Sequence, residues 1–410
     1  ELINRPEIHY LAEMMNFPGV LARDEEIMQK IQHSKNAGKP IDGHAPGLTG
    51  QALKHYASAG ITTDHECCTI EEAKEKIDQG MKILIREGSA ARNFDSLIPL
   101  MATNPTSLMF CSDDKHSDDL VIGHINLLVK KAIGLGYEIF DVLRSATLIP
   151  KIHYGLNNGL LQRGDPADIV VVDNLQDFNV RETYIDGVKV AVQGKTLLES
   201  VKDDAPNRFY CKPVESSQLK VKAQEGKIRV IEVVEGQLFT KATVAAPTLE
   251  NGMVMPDTAR DILKLVALNR YGESKPAVAF IKGFGLKDGA LATTVAHDSH
   301  NILAVGTNDD DITTAINLLI ENNGGIVTVN DHQQWLLPLP VAGIMTQNDG
   351  YHSAEMYKSV EMAAKRLGTS LKAPFMTLSF MALLVIPELK LSDLGLFDVS
   401  SFSLVPLFSR

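Results

Sequence analysis

The sequence predicts an α/β protein built in three parts, and three observations carry that prediction. Through roughly the first 150 residues, short apolar runs alternate five times with stretches of helical period. Residues 159–205 change to the two-residue alternation of strands around an Asp186-Gly187 turn. From about residue 216, strand-like runs and a capped helix begin again as a second α/β body. Apolar residues at 44% and charged residues at 22% are ordinary globular values, and 410 residues can bury several cores.

The first part reads element by element. Residues 8–15 form a short apolar run expected as a buried strand, and 24–37 a helix, with Ile27, Met28 and Ile31 at helical spacing and Gly38 closing it. Residues 40–44 read as a strand, 48–59 as a helix closed by Gly60, and 61–65 as a strand. Residues 69–79 are a helix with Thr69 at the cap and Glu72 three residues on, a capping box. A strand at 81–87, a helix at 90–101, a strand at 107–113 and helices near 119–135 and 139–154 complete the series. In the remainder, strands are expected at 169–172, 228–234, 278–281 and 302–305, a linker at 198–215, and a helix starting near Asp311. The expected domains are therefore 1–158, 159–205 and 206–410.

Strand–helix alternation implies a parallel sheet with helices outside it, and in such barrels the reacting groups stand at the C-terminal strand ends. The polar residues there are Glu13, His44, His65, Arg86-Glu87 and Asp113, each about one unit from the next. Imidazoles and carboxylates in that register make a hard-to-borderline metal site suited to Zn, Mn or Fe(II). Taken singly, each residue has a plainer role: a hydrogen-bonded histidine, a Glu13–Arg23 pair, or Asp113 and Asp114 capping the next helix. Their joint spacing is what points to a metal.

Composition removes other classes. A net charge of −11, from 40 Lys+Arg against 51 Asp+Glu, argues against a nucleic-acid partner. No apolar run reaches the ~18 residues of a membrane span. Cys67, Cys68, Cys111 and Cys211 form no C-x-x-C pair and suit a reducing, cytoplasmic setting. No signal peptide is visible, and the chain opens at Glu1 within what reads as the middle of a domain.

LAEMMNFPGV (11–20), IDGHAPGL (41–48), TTDHE (62–66), IREGSAARN (85–93) and CSDD (111–114) closely resemble the adenine deaminases of the amidohydrolase superfamily. So do GDPADIVVV (164–172), KGFGLKDGALATTVAHDSHNI (282–302) and LPLPVAGIM (337–345). The resemblance implies the C-terminal part of a (β/α)8 barrel, a small β-sandwich element, and a C-terminal α/β domain. It implies a binuclear site of Mn or Fe(II), with Zn also suitable. Glu13 would bridge the metals, His44 and His65 would be ligands, and Asp113 both ligand and proton-transfer base. Glu66 would be either a donor to the purine ring or a supporting carboxylate. Arg86, Glu87 and Ser89 would pair with ring nitrogens. The implied reaction is hydrolysis of adenine to hypoxanthine and ammonia in purine metabolism, by a cytoplasmic homo-oligomer with no nucleic-acid or membrane partner.

The sequence departs from the family in lacking the H-x-H of the first barrel strand, so strands one to three are expected to be missing. A truncated, non-catalytic chain is one alternative. A cyclic-amide hydrolase with a bridging carbamylated lysine is another, disfavoured because no Lys lies in residues 1–28. The glycines of 282–294 match neither phosphate-loop pattern and read as turns, and His297 with His300 as structural or lid residues. Cys67 and Cys68 read as inert thiols, and Lys358, Lys365 and Arg366 as a solvated helix face.

Overall fold

The structure, a computed structural model, describes residues 1–89, 91–201 and 204–409. The chain divides into two compact units, one of residues 1–115 and 122–199, the other of residues 116–121 and 200 onward.

The first unit contains five parallel strands in chain order: β1 (Leu11–Met14), β2 (Ile41–Gly43), β3 (Thr63–Asp64), β4 (Lys82–Arg86) and β5 (Leu108–Cys111). β1 pairs with β2, and β3, β4 and β5 form a second parallel ladder. Between β2 and β3 the link is made by single bonds. Thr62 N–H donates to Ile41 O at 2.9 Å, and Gly43 N–H to Thr63 Oγ1 at 3.2 Å. Gly43 allows this approach, since a Cβ there would lie 2.2 Å from Thr63 O.

The helices α1 (Phe17–Leu21), α2 (Glu25–Asn36), α3 (Gly50–Ser58) and α4 (Ile70–Asp78) fill the connections between β1 and β4. Asp24 caps α2 by accepting from Ile27 N–H at 3.1 Å, and Thr69 caps α4 by accepting from Glu72 N–H at 3.2 Å. The other half of the expected capping box is displaced: Glu72 accepts from Cys68 N–H, one residue before the cap. Ile83, Ile85, Phe94, Leu97, Leu108 and Phe110 form one buried core with Leu128 and Val129. A second joins Met14, Ile31, Ile41, Leu53 and Tyr56. Residues 169–196 add a four-stranded antiparallel sheet.

Several expectations need correction. Strand β1 is shorter than 8–15 and not buried; of its four residues only Met14 is buried. The 107–113 strand stops at Cys111, and Asp113 lies beyond it with φ 55. Residue 90 lies outside the described residues, and the helix expected at 90–101 begins only at Phe94. The side chain of Asn93 holds the preceding chain in a tight turn by accepting from Arg86 N–H. The 139–154 helix breaks at Thr147, which places Pro150 in the first turn of the next helix, where its missing N–H costs nothing.

The second unit is built on a mixed sheet. Its spatial order is Thr240–Ala245, Lys227–Val233, Ala277–Lys282, Ile262–Leu268, Ile302–Gly306, Ala290–Thr293, Gly325–Asn330 and Gln333–Pro338. Only the Lys227–Val233 and Ala277–Lys282 pair is parallel; the other neighbours on this path are antiparallel. Helix Asp309–Glu321 is capped by Asn308 and packs its buried face on Ala290, Ala292, Ile302 and Ala304. Much of the expected linker belongs to this unit: Cys211 and Val214 are buried, and Tyr210 N–H donates to Arg270 O. No helix among the described residues is long and apolar enough to cross a membrane.

Lys390 is fully buried in this unit, its Nζ donating to Leu238 O at 2.8 Å and Phe380 O at 3.1 Å. Burial pushes its pKa down to about 7 from an ordinary 10.5. Between those values the unfolded chain holds a proton that the folded chain has lost. Stability therefore rises as pH climbs from 7 toward 10.5. Lys390→Met should raise the unfolding free energy at pH 7 by about 1–3 kcal/mol and flatten the pH dependence, read by denaturant melts of the second unit at several pH values.

Candidate metal centre at the strand ends

The C-terminal ends of β1 to β5 and the residues just beyond them bring their polar side chains together. Glu13 Oε2 lies 3.0 Å from His44 Nδ1 and 2.9 Å from His65 Nε2. The two imidazoles meet edge to face, with centroids 5.2 Å apart. Glu66 Oε1 lies 3.5 Å from His44 Nδ1 and 3.4 Å from His65 Nε2. Arg86 grips Glu66 through both terminal nitrogens and also donates to Asp113 Oδ2 at 2.5 Å. His44, Glu66 and Arg86 are buried, while Glu13 and Asp113 keep 37% and 26% of their side chains exposed, so the cluster opens to solvent along one rim.

Backbone features hold these side chains. Tyr56 hydroxyl accepts from His44 N–H and donates to Met14 O, each at 3.0 Å, welding the ends of β1 and β2. Asn93 accepts from Arg86 N–H at 2.8 Å and donates to His65 O and Cys67 O at 3.0 and 3.1 Å. Gly88 lets the loop after β4 fold against residues 112–114, where a Cβ would come 2.8 Å from Asp114 O.

The electrostatics follow from the geometry. Burial would raise the Glu13 carboxyl, but hydrogen bonds from His44 and His65 outweigh it and hold the group below the usual range. Burial would lower His65, but Glu13 and Glu66 push it up to about 9. The donor atoms of Glu13, His44 and His65 lie within 4.8 Å of one another, as do those of His65, Glu66 and Asp113. Two imidazoles presenting Nδ1 and Nε2 to one carboxylate oxygen fit a divalent cation of borderline softness. A third group, Asp64, Cys67 and Glu72, is different, because the Lys76 ammonium already sits 2.6 Å from Asp64 and 2.8 Å from Glu72.

Glu13, His44, His65, Glu66, Arg86 and Asp113 therefore converge. Glu87 does not: alternation along the strand sends it to the opposite side, 3.5 Å from Lys131. Ser89 is buried, and its N–H donates to Asp114 O at 2.9 Å. His297 stacks on Phe380 at 4.5 Å with His300 6.2 Å away, and among the described residues no third donor groups with them. The glycine-rich loop is no anion site, since Asp261 accepts from Gly283 N–H and Gly285 N–H at 2.8 Å each. Sequence reasoning missed Tyr56 and Lys76 altogether, and it took Asn93 only as part of a motif. Their roles depend on contacts between distant segments.

A family model described as "Adenine deaminase C-terminal domain" matches residues 237–403, and one described as "Amidohydrolase family" matches residues 1–190. The chain is 50% identical over 409 residues to an adenine deaminase of Salinibacter ruber, covering 99% of this chain and 75% of that protein. It is 49% identical over 417 residues to one of Methanosarcina barkeri, covering 100% and 76%. It is 43% identical over 415 residues to one of Borreliella burgdorferi, covering 99% and 75%.

Removing the Asn93 side chain would orphan Arg86 N–H, His65 O and Cys67 O at once. Asn93→Ala should cost the first unit about 2–4 kcal/mol in a urea melt, more than an ordinary single hydrogen bond.

Proposed function

The chain belongs to the adenine deaminase family of amidohydrolases, and on that footing we propose that it hydrolyses adenine to hypoxanthine and ammonia. The observation that supports this most directly is Glu13 Oε2 lying within 3.0 Å of both His44 and His65 at the strand ends.

Glu13, His44, His65 and Asp113 would hold the metal, a binuclear Mn or Fe(II) centre with Zn also suitable. When bound, the metal supplies Lewis acidity that brings the pKa of a water toward neutrality. The chain's own residues do the rest. Asp113, at the open rim, takes the proton of the water that adds to C6. It then delivers that proton to the exocyclic amine, the C6–N bond breaks and ammonia leaves, and the proton remaining on the C6 oxygen passes to N1 to give hypoxanthine. Arg86 ties Asp113 to Glu66, which keeps the base aimed and holds Glu66 in place, either to donate to the purine ring or to support the cluster. Ser89 and Arg86 supply the polar edge against which the purine nitrogens are read. Glu87, paired with Lys131, supports the outer face of that loop. Four unpaired cysteines suit a cytoplasmic setting, and we include a homo-oligomeric state in the reading, to be checked by sedimentation.

Ammonia release from adenine and adenosine, measured with added Mn, tests the function. A pocket that pairs buried polar groups with a free base should favour adenine by about 100-fold or more; comparable rates on both would refute the base-only pocket.

Asp113→Asn should lower kcat by ~10²–10⁴-fold with partial loss of bound metal. Asp114→Asn should stay near normal, because an amide of the same shape keeps a capping oxygen and the backbone carbonyl that accepts from Ser89 N–H is unchanged. Rates and metal content of both variants separate the two; a dead Asp114→Asn beside a working Asp113→Asn would move the base by one residue.

A further inference from the structure

We propose that Lys76 is a positioning residue for the metal centre, its ammonium clamping together the two segments that present His44 and His65. This rests on the metal-centre reading above.

Lys76 lies on α4 with no exposed surface. Its Nζ makes three bonds: to Ala45 O at 2.7 Å, Asp64 Oδ2 at 2.6 Å and Glu72 Oε1 at 2.8 Å. All three ammonium hydrogens are thereby used. Ala45 directly follows His44, and Asp64 directly precedes His65. Asp64 Oδ1 closes the ring by accepting from Ala45 N–H at 3.0 Å. Glu72 extends the clamp by accepting from Gly47 N–H at 2.8 Å and Cys68 N–H at 3.2 Å. Both segments beyond the histidines are thus tied to one point on α4.

The clamp stands where the sheet itself is weak. β2 and β3 share no ladder, only single bonds such as those of Thr62 N–H and Gly43 N–H, so regular strand pairing does not by itself fix the distance between His44 and His65. Burying an ammonium with two carboxylates is a poor route to stability, since well-packed apolar side chains do as well or better. What such a cluster supplies is one arrangement, because a carbonyl, two carboxylates and an ammonium meet in a single geometry. Supporting shells of this kind typically change metal affinity without touching the metal.

The test compares Lys76→Met with Leu128→Ala, a cavity variant in the core of the same unit on an outer helix. Metal-free chains labelled at histidine 13Cε1 are observed by NMR, with His44 and His65 assigned by their Gln variants. Lys76→Met should move both resonances, while Leu128→Ala leaves them in place at a comparable loss of melting temperature. Unchanged resonances in Lys76→Met, or equal movement in both variants, would overturn the proposal.

In Mn2+ titrations, Lys76→Met should bind about ten-fold or more weakly and Leu128→Ala within about twofold of the unaltered chain. If Lys76→Met binds Mn2+ as well as the unaltered chain, the clamp fails. If the unaltered chain binds no Mn2+, the metal-centre reading fails, and the histidine resonances still decide the clamp. Should Lys76→Met not fold, Lys76→Gln/Glu72→Gln replaces it, removing one charge of each sign so that the buried net charge is unchanged.

Discussion

Arg86 is the constraint on which the strand-end cluster depends. Glu66 and Asp113 both reach toward the same point, and two carboxylates there would repel by several kcal/mol in a partly buried setting. One guanidinium between them turns repulsion into two attractions. That requires Arg86 to leave the middle strand of the three-stranded ladder, where its partner is Cys111, with its backbone fixed by Asn93. Glu13 is handled separately, by the two imidazoles. Every carboxylate of the cluster thus has a cationic or hydrogen-bonding counterpart, with Arg86 serving two of them. This lets so much negative charge collect at one end of a parallel sheet.

Much of this was legible in the sequence. The one-unit spacing of Glu13, His44, His65, Arg86 and Asp113 picks out the converging residues, because each strand–helix unit returns the chain to the same end of the sheet. Thr69 and Asp24 announce their helices through local chemistry, and local chemistry is what a sequence displays. Glu87 and Lys76 show where reading stops. Neighbouring strand residues face opposite ways, and which of Arg86 and Glu87 turns inward depends on the ends of β3 and β5. Lys76 sits four residues after Glu72, a spacing that any exposed helical ion pair shares and that gives no sign of burial. Only packing of that face of α4 on the strand ends reveals an ammonium with no water to meet.

The second unit follows the same economy in its loops. The amides of Gly283 and Gly285 could cradle an anion from solution, but Asp261 supplies one from within the chain. Arg270 does for backbone carbonyls what Asp261 does for amides. It donates to His300 O, Arg208 O and Ala342 O, and its guanidinium lies over the rings of Phe209 and Tyr271. Glycine content and charge in these segments therefore mark internal satisfaction. This explains why the most motif-like stretch of the sequence holds no ligand-binding geometry.

The path of the chain between the units has its own consequence. Residues 116–121, which directly follow the loop of Asp113 and Asp114, belong to the second unit, with His116 4.3 Å from the Tyr357 ring. The chain then returns to the first unit at Ile122 and leaves it again after Glu199. A single proteolytic nick near residue 200 would leave residues 116–121 on the N-terminal fragment, so the C-terminal fragment would lack part of the second unit.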